Sequence, residues 1–439
     1  MSPNPIPSSS TSTASTDPST VSTEVPPIPP TTKRKLDDVI ASLPVKAKSV
    51  KKTPRGANAV RTETEKLQGV AKFLVRAINP FLDISSVMQY GAAKNWGQGS
   101  SADLPASEIA RQEVGAKAFD LAFANSEPEL LDIVKHIFLA SSSDPAKWES
   151  LVTMMRKSAS SARTSDTGGL KHCLNYVLPH PSKQVLVPAI TKQESKSDRG
   201  LTHPMLRYFI MGWSYRSQLR PLIIPAPLPR GMAQSIDPAL ANDDDDSENQ
   251  STAEKKLLQR IAGGRLHLLA TDMPSCFWEE GKYNSANKDE GLLRGDIITR
   301  VLRHMWTAPN SALNGLHDGI PKICNARVHN QFVVTPEMIA IGCVHARTMI
   351  STREWTQRDD KYDYEKLFQT VLGFFAGLPH DPWAVETLEW YQGQVFGDAI
   401  DSDSGANSDD DPRTNEASEI LLQRAARLSA LANAAPASA

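Results

Sequence analysis

The 439 residues predict a mainly α-helical domain of irregular helix order, framed by disordered, charge-patterned tails. Three observations carry that prediction. Apolar residues recur at three- and four-residue spacing through most of the middle of the chain, the period of a helix with one buried face. Proline stands beside a polar residue where several of these patterns begin, as in Asp144-Pro145, Thr335-Pro336-Glu337 and Asp381-Pro382, and its missing N–H costs nothing in a first helical turn. The ends are rich in Ser, Thr, Pro, Asp and Ala, a composition that buries too little apolar surface to repay the entropy of ordering.

Residues 1–66 read as a disordered basic tail, with one basic cluster at Lys33, Arg34 and Lys35 and a second at Lys46, Lys48, Lys51, Lys52 and Arg55. Two clusters about a spacer have the look of a bipartite nuclear-import signal, and equally of a solvated charge run or a phosphate-binding arm. Residues 67–103 are expected to form a linker with a short docking helix, GVAKFLVRAINPFLDI, interrupted at Asn79-Pro80 because proline removes a donor and restricts its predecessor.

A helical core is expected over 104–397, with subdomains 104–240 and 252–397 split by an acidic loop around Asp243–Asp246. Its first helix would bury Ile109, Val114, Ala118, Leu121 and Ala122. Leu130, Leu131, Val134, Ile137 and Phe138 line the next, and Trp148, Leu151, Val152 and Met155 the one after. His203-Pro204 opens a helix with Leu206, Phe209, Ile210 and Trp213 on one face. Repeated proline then makes LIIPAPLPRG an extended connector, with room for a minor β-hairpin there or over 320–334. Helical character resumes from Ala253 to Trp278, weakened by roughly 1 kcal/mol at each of Gly263 and Gly264. Between Gly291 and Trp306, Leu293, Ile297, Val301 and Met305 share a face, and Asp296 can pair with Arg300 one turn on. Tyr364–Phe375 and a helix from Asp381-Pro382 to Phe396 complete the core, with Trp383, Trp390 and Tyr391 read as packing residues. An acidic linker over 398–414 and an isolated amphipathic helix over 415–434 close the chain.

The chemistry that the sequence excludes is broad. Cys173, Cys276, Cys324 and Cys343 are too widely spaced for a zinc ribbon and read as reduced thiols. There is no HExxH, no P-loop, no GxGxxG and no GxSxG, so catalytic, cofactor and metal residues are expected to be absent. His317-Asp318 and His380-Asp381 lack the further ligands of a metal phosphohydrolase, and Asp381 reads as a helix cap. A net charge of -2 gives no whole-protein field for nucleic acid. No apolar run approaches the ~18–20 residues of a membrane span, so an intracellular protein without a membrane role is expected.

One ordered set of short motifs adds to this reading. Cys276-Phe277-Trp278-Glu279-Glu280-Gly281 with Tyr283, Gly291-Leu292-Leu293-Arg294-Gly295, the run Arg303-His304-Met305-Trp306-Thr307-Ala308-Pro309-Asn310-Ser311-Ala312, the Thr335-Pro336 helix start and Trp390-Tyr391 before Phe396-Gly397 follow one another over about 200–397. In this order they resemble a helical domain of unknown function multiplied in mushroom-forming basidiomycete fungi, although that family more often has Lys-His-Ile-Phe where this chain has Arg303-His304-Met305-Trp306. The resemblance implies no activity. It implies a setting near mobile elements or gene regulation, and it singles out Arg294 and His304 as polar residues within the motifs. The expected function is therefore a non-catalytic nuclear interaction protein that binds protein or nucleic acid. The alternative is an unrecognised enzyme in which Arg294, His304, His317 and His345 converge on a pocket around 291–350.

Overall fold

A computed structural model describes residues 30–42, 61–97, 105–190, 195–224, 251–316 and 319–397. The described chain is mainly helical: α1 (Pro30–Ser42), α2 (Glu63–Phe73), α3 (Ile84–Trp96), α4 (Ala106–Ala124), α5 (Pro128–Leu139), α6 (Pro145–Lys171), α7 (Pro204–Ile210), α8 (Trp213–Arg216), α9 (Thr252–Ala262), α10 (Asp296–Trp306), α11 (Pro309–Asn314), α12 (Asn325–His329), α13 (Pro336–Ile350), α14 (Tyr364–Phe374) and α15 (Pro382–Val395). A minor antiparallel hairpin pairs β1 (Arg358–Asp359) with β2 (Tyr362–Asp363). It stands outside both segments expected to hold one: 320–334 carries a helix at 325–329, and 225–231 lie outside the described residues.

The core is built around α13, in which every residue from Met338 to Ile350 is buried. A helix buried on all sides, His345, Arg347 and Thr348 included, needs neighbours on all sides, and α10, α14, α6 and α7 supply them. Its start follows the sequence: the Thr335 hydroxyl accepts from Met338 N–H and Pro336 fills the first turn. Its end is held by a distant loop. Lys196 Nζ donates to the carbonyls of Thr348 (2.6 Å) and Arg353, Arg199 Nη1 to Met349 O (2.9 Å), and Gly200 N–H to Ile350 O (2.9 Å). These donors meet carbonyls that the helix leaves unpaired, and the cations suit the negative end of its dipole. Burial pushes the Lys196 ammonium down to about 8.

Of the expected linker 67–103, residues 67–97 are part of this core, and 98–103 lie outside the described residues. Leu67, Val70, Phe73 and Leu74 are buried against α6 and neighbouring elements, and α2 begins with a capping box between Thr62 and Glu65. The helix winds on through one wider turn, Leu74–Ile78, and stops at Asn79-Pro80 as expected. Nor does disorder extend through 1–66. Residues 30–42 form α1, which rests on α2 and α5 with Val39 and Leu36 buried. Residues 63–66 of that tail belong to α2, while 1–29, 43–60, the acidic loop at 243–246, the acidic linker and the expected 415–434 helix lie outside the described residues.

α4 buries a different face from the one its large apolar residues suggested. Ile109, Val114 and Leu121 are 36%, 57% and 42% exposed, whereas Gly115, Ala116, Ala118, Phe119, Ala122 and Phe123 are buried. Small residues win because α3 and α4 lie very close. A Cβ on Gly91 would fall 2.1 Å from Phe119 Cγ, so only glycine admits that ring. Two other boundaries move for backbone reasons. α9 stops at Gly263, with Gly264 at φ +63°, so the glycines end the helix rather than weaken its middle. α10 starts at Asp296 rather than Gly291, because Leu293 sits at φ 61°, outside helical geometry.

The stretches on either side of the acidic loop form one core rather than two subdomains, joined by Lys196 and Arg199 on the α13 carbonyls, by Arg300 on Tyr176 O and Leu178 O, and by Arg76 on Asn325. Arg76 on the α2 extension makes a bidentate pair with Asp166 on α6, Nε–Oδ2 2.7 Å and Nη2–Oδ1 2.6 Å, and donates Nη1 to Asn325 Oδ1 at 2.9 Å. Arg163 donates to Pro80 O and Leu82 O, fixing the turn before α3.

A cleft between the 204–224 segment and the 275–297 segment

The polar residues that the sequence nominated are occupied in holding elements together. Arg294 pairs with Glu386 on α15 at 2.9 Å and lies 5.8 Å from the Trp390 ring. His304 accepts from or donates to the Tyr176 hydroxyl at 3.0 Å, on the other side of α10, and burial lowers its pKa. Arg300 bonds the carbonyls of Tyr176, Leu178 and Pro179 as well as Asp296, the expected partner. Arg303 bonds Gln394 through both its backbone and its side chain. α10 thus carries a basic stripe that is spent on the protein's own oxygen atoms. His345 is sealed on α13 with its ring stacked on Trp355 at 5.1 Å, and His317 lies outside the described residues. Arg294 and His304 therefore meet separate elements rather than a common site. Asp381 caps α15 by accepting from Trp383 N–H, and Tyr391 is buried with its hydroxyl on Leu293 O.

Of the basic clusters, Lys33 and Arg34 are exposed on α1 while Lys35 pairs with Glu129 and, at 3.9 Å, with Glu63. Lys46, Lys48, Lys51, Lys52 and Arg55 lie outside the described residues.

The larger cavity, about 370 Å³, lies between α7–α8 with the chain after them and the segment that runs into α10. His203 caps α7 through Nδ1, which accepts from Met205 and Leu206 N–H, and so fixes where the first wall begins. The second wall is stitched by backbone bonds: Ser275 N–H to Met211 O (2.8 Å), Glu279 N–H to Gly291 O (2.9 Å) and Gly295 N–H to Phe277 O (3.1 Å). Gly295 is required there, since a Cβ would stand 1.9 Å from Cys276 O. Val177, Pro179, Phe209, Leu219 and Ile297 give the cleft apolar sides.

Trp213, Trp278 and the cation Arg216 line the cleft, and Tyr283 packs on both tryptophan rings. The Arg216 guanidinium carbon lies 4.1 Å from the Trp213 ring centroid, and Tyr283 stacks on the same ring at 4.4 Å and 10°. Two groups so close to one centroid fit only on opposite faces. Trp278 meets Tyr283 edge-on at 5.5 Å and is itself fixed by Nε1 donating to Lys288 O at 2.9 Å. Arg216 Nη1 donates to Ser275 Oγ at 3.1 Å, and no carboxylate among the described residues lies within 4.0 Å of it. Burial lowers its pKa. Its neighbours in the cleft are already engaged: Arg220 with Glu254 and Asp296 with Arg300. Trp213 Nε1 is buried without a hydrogen-bond partner.

These groups offer a ligand a cation, aromatic faces and apolar sides. Burial pushes the Cys276 thiol up to about 12, so it stays protonated and weakly nucleophilic at neutral pH. Among the described residues no three His, Cys, Asp or Glu side chains are grouped to hold a metal ion, and no helix is long and apolar enough to cross a membrane.

Residues 230–396 match a family of unknown function (DUF6698). The match contains the wall 275–281 and helices α10, α13 and α15, whereas Trp213 and Arg216 precede it. The cleft therefore lies where the family segment meets the helices before it. No curated protein and no solved structure gives a significant match. Sequence reasoning treated Trp213 as core and passed over Arg216. The signal was present in Trp213-Ser-Tyr-Arg216, whose i,i+3 spacing brings the cation onto the ring.

Proposed function

We propose that this protein is a non-catalytic interaction protein that works in the nucleus and captures a segment of a protein partner in the Trp213–Arg216 cleft. One observation carries the reading: Arg216 is half-buried against an aromatic ring, with only the distant field of Glu280 and no carboxylate of the described residues within 4.0 Å. An unpaired, desolvated cation is costly, and a bound carboxylate would repay that cost with charge-assisted, bidentate hydrogen bonds. The apolar sides of the cleft suit a hydrophobic residue next to that carboxylate. Glu279 and Glu280, which line the opposite wall, disfavour a ligand that is acidic throughout. A nucleic-acid reading has less support, because Arg294, Arg300 and Arg303 are committed within the fold. The nuclear part rests on the exposed Lys33 and Arg34.

Selection of short peptides from a random display library on the full chain tests the binding part. Enriched sequences are expected to combine one Asp, Glu or free C-terminal carboxylate with an adjacent large apolar residue, and Arg216→Met is expected to abolish the enrichment. Enrichment of sequences without a carboxylate, or the same enrichment on the variant, would reject it. Imaging of the tagged chain tests the nuclear part. Cytoplasmic retention of the intact protein contradicts it, and redistribution on replacing Lys33 and Arg34 with alanine supports it.

A further inference from the structure

We propose that the partner segment held in the Trp213–Arg216 cleft is zwitterionic, carrying a lysine or arginine for Glu279 and Glu280 besides the carboxylate for Arg216. The inference rests on reading that cleft as a peptide site, and it adds the second half of the recognition.

Five charged residues line the cavity: Arg216, Arg220, Glu279, Glu280 and Asp296. Two of them are paired within the fold, Arg220 with Glu254 at 3.5 Å and Asp296 with Arg300 at 2.7 Å. The other three are not. Among the described residues no carboxylate lies within 4.0 Å of Arg216, and no Lys, Arg or His lies within that distance of the Glu279 or Glu280 carboxylate. Neither glutamate side chain accepts a hydrogen bond from a described residue either. Lys282, the next cation along the chain, is exposed and turns to neither of them.

The two signs stand on different walls. Arg216 ends α8, whereas Glu279 and Glu280 sit on the strip that Ser275 N–H ties to Met211 O and Glu279 N–H ties to Gly291 O. Glu280 is close enough for its field to act on Arg216 and Arg300, yet it forms an ion pair with neither. One short segment in a cavity of about 370 Å³ can therefore meet both signs. In an extended segment successive side chains point to opposite sides. An acidic residue facing Arg216 thus places a basic residue one or three positions away toward the glutamates. Glu279 is half-buried and Glu280 exposed, so solvent screens them and their part is selection more than strength. About threefold to tenfold in affinity is the effect expected of such a contact.

Parallel selection of short peptides from a random display library on the full chain, on Glu279→Gln/Glu280→Gln and on Arg216→Met separates the two halves. The two glutamate side chains hold nothing in the fold, so the double variant is expected to fold as the unaltered chain does. The unaltered chain should enrich a carboxylate with a basic residue one or three positions away. The double glutamine variant should keep the carboxylate and lose the basic residue. Replacing the basic residue of the best peptide with glutamine should weaken binding about threefold to tenfold on the unaltered chain and leave it unchanged on the double variant. Enrichment of a carboxylate without a basic residue, or the same basic preference on both proteins, overturns this inference while the Arg216 reading stands. Loss of the carboxylate preference on Arg216→Met is the result that keeps that reading. Failure to enrich any carboxylate on the unaltered chain overturns both.

Discussion

Replacing Asp166 with asparagine tests how firmly α6 is tied to the α2 extension and, through Arg76, to α12. The Arg76–Asp166 pair is bidentate, both side chains are about nine-tenths buried, and the third arm of Arg76 reaches Asn325 on α12. Asp166→Asn keeps the shape and one oxygen but removes the charge, leaving the guanidinium in a dry site that cannot hydrate it. Breaking a buried pair in this way costs about 3–5 kcal/mol, whereas replacing both partners with apolar residues of similar volume is often neutral or better. The Arg76→Met/Asp166→Leu double variant should therefore recover most of what Asp166→Asn loses, and the three-member comparison isolates the charge from the packing. Urea unfolding followed by circular dichroism gives the free energies. A loss below about 1 kcal/mol for Asp166→Asn would refute the reasoning, because it would mean that water already reaches Arg76.

Acid should destabilise the protein over a window set by its buried histidines. Burial holds His345 down to about 4 and His329 to about 3, so between pH 6.5 and 4 the unfolded chain binds protons that the folded chain refuses. Stability is complete above that window and falls as pH is lowered through it, on the order of 3 kcal/mol from His345 by pH 4. His345→Phe should flatten the fall in a pH series of unfolding curves. Gly295→Ala drives a methyl group into Cys276 O and should cost about 1–3 kcal/mol while also weakening any ligand of the adjoining cleft. Val39→Asp should release α1, since Val39 is fully buried and its burial is worth about 1.5–3 kcal/mol. Limited proteolysis would show α1 cut first while the rest of the chain resists, and unchanged cleavage would show that α1 is held by other means.

Periodicity and caps made most helices legible. The Thr335-Pro336 and Asp381-Pro382 starts lie where the residues put them, and Asp296 pairs with Arg300 across one turn. What periodicity misjudged was packing partner and backbone sign. Nothing local told α4 that α3 would approach through Gly91 and select its small-residue face, and a positive φ at Leu293 is invisible in a run that otherwise spells helix. The segment 67–97 looked like a linker because its partner faces lie on α6 and α13, far along the chain. Candidate sites were less legible still. Conspicuous residues such as His304 and Arg294 turned out to be ties between elements, while the cleft needed Arg216 from one segment and Trp278 from another.

The most direct test of the central claim is the affinity of one selected peptide, bearing a carboxylate beside a large apolar residue, for the full chain and for Arg216→Met. A charge-assisted contact of this kind is worth about 1.5–3 kcal/mol, so the variant should bind about 10- to 100-fold more weakly, and amidation of the peptide carboxylate should have the same effect on the unaltered protein. Equal binding by both proteins, with both forms of the peptide, would show that Arg216 stabilises the fold alone and that the cleft is not where this protein meets its partner.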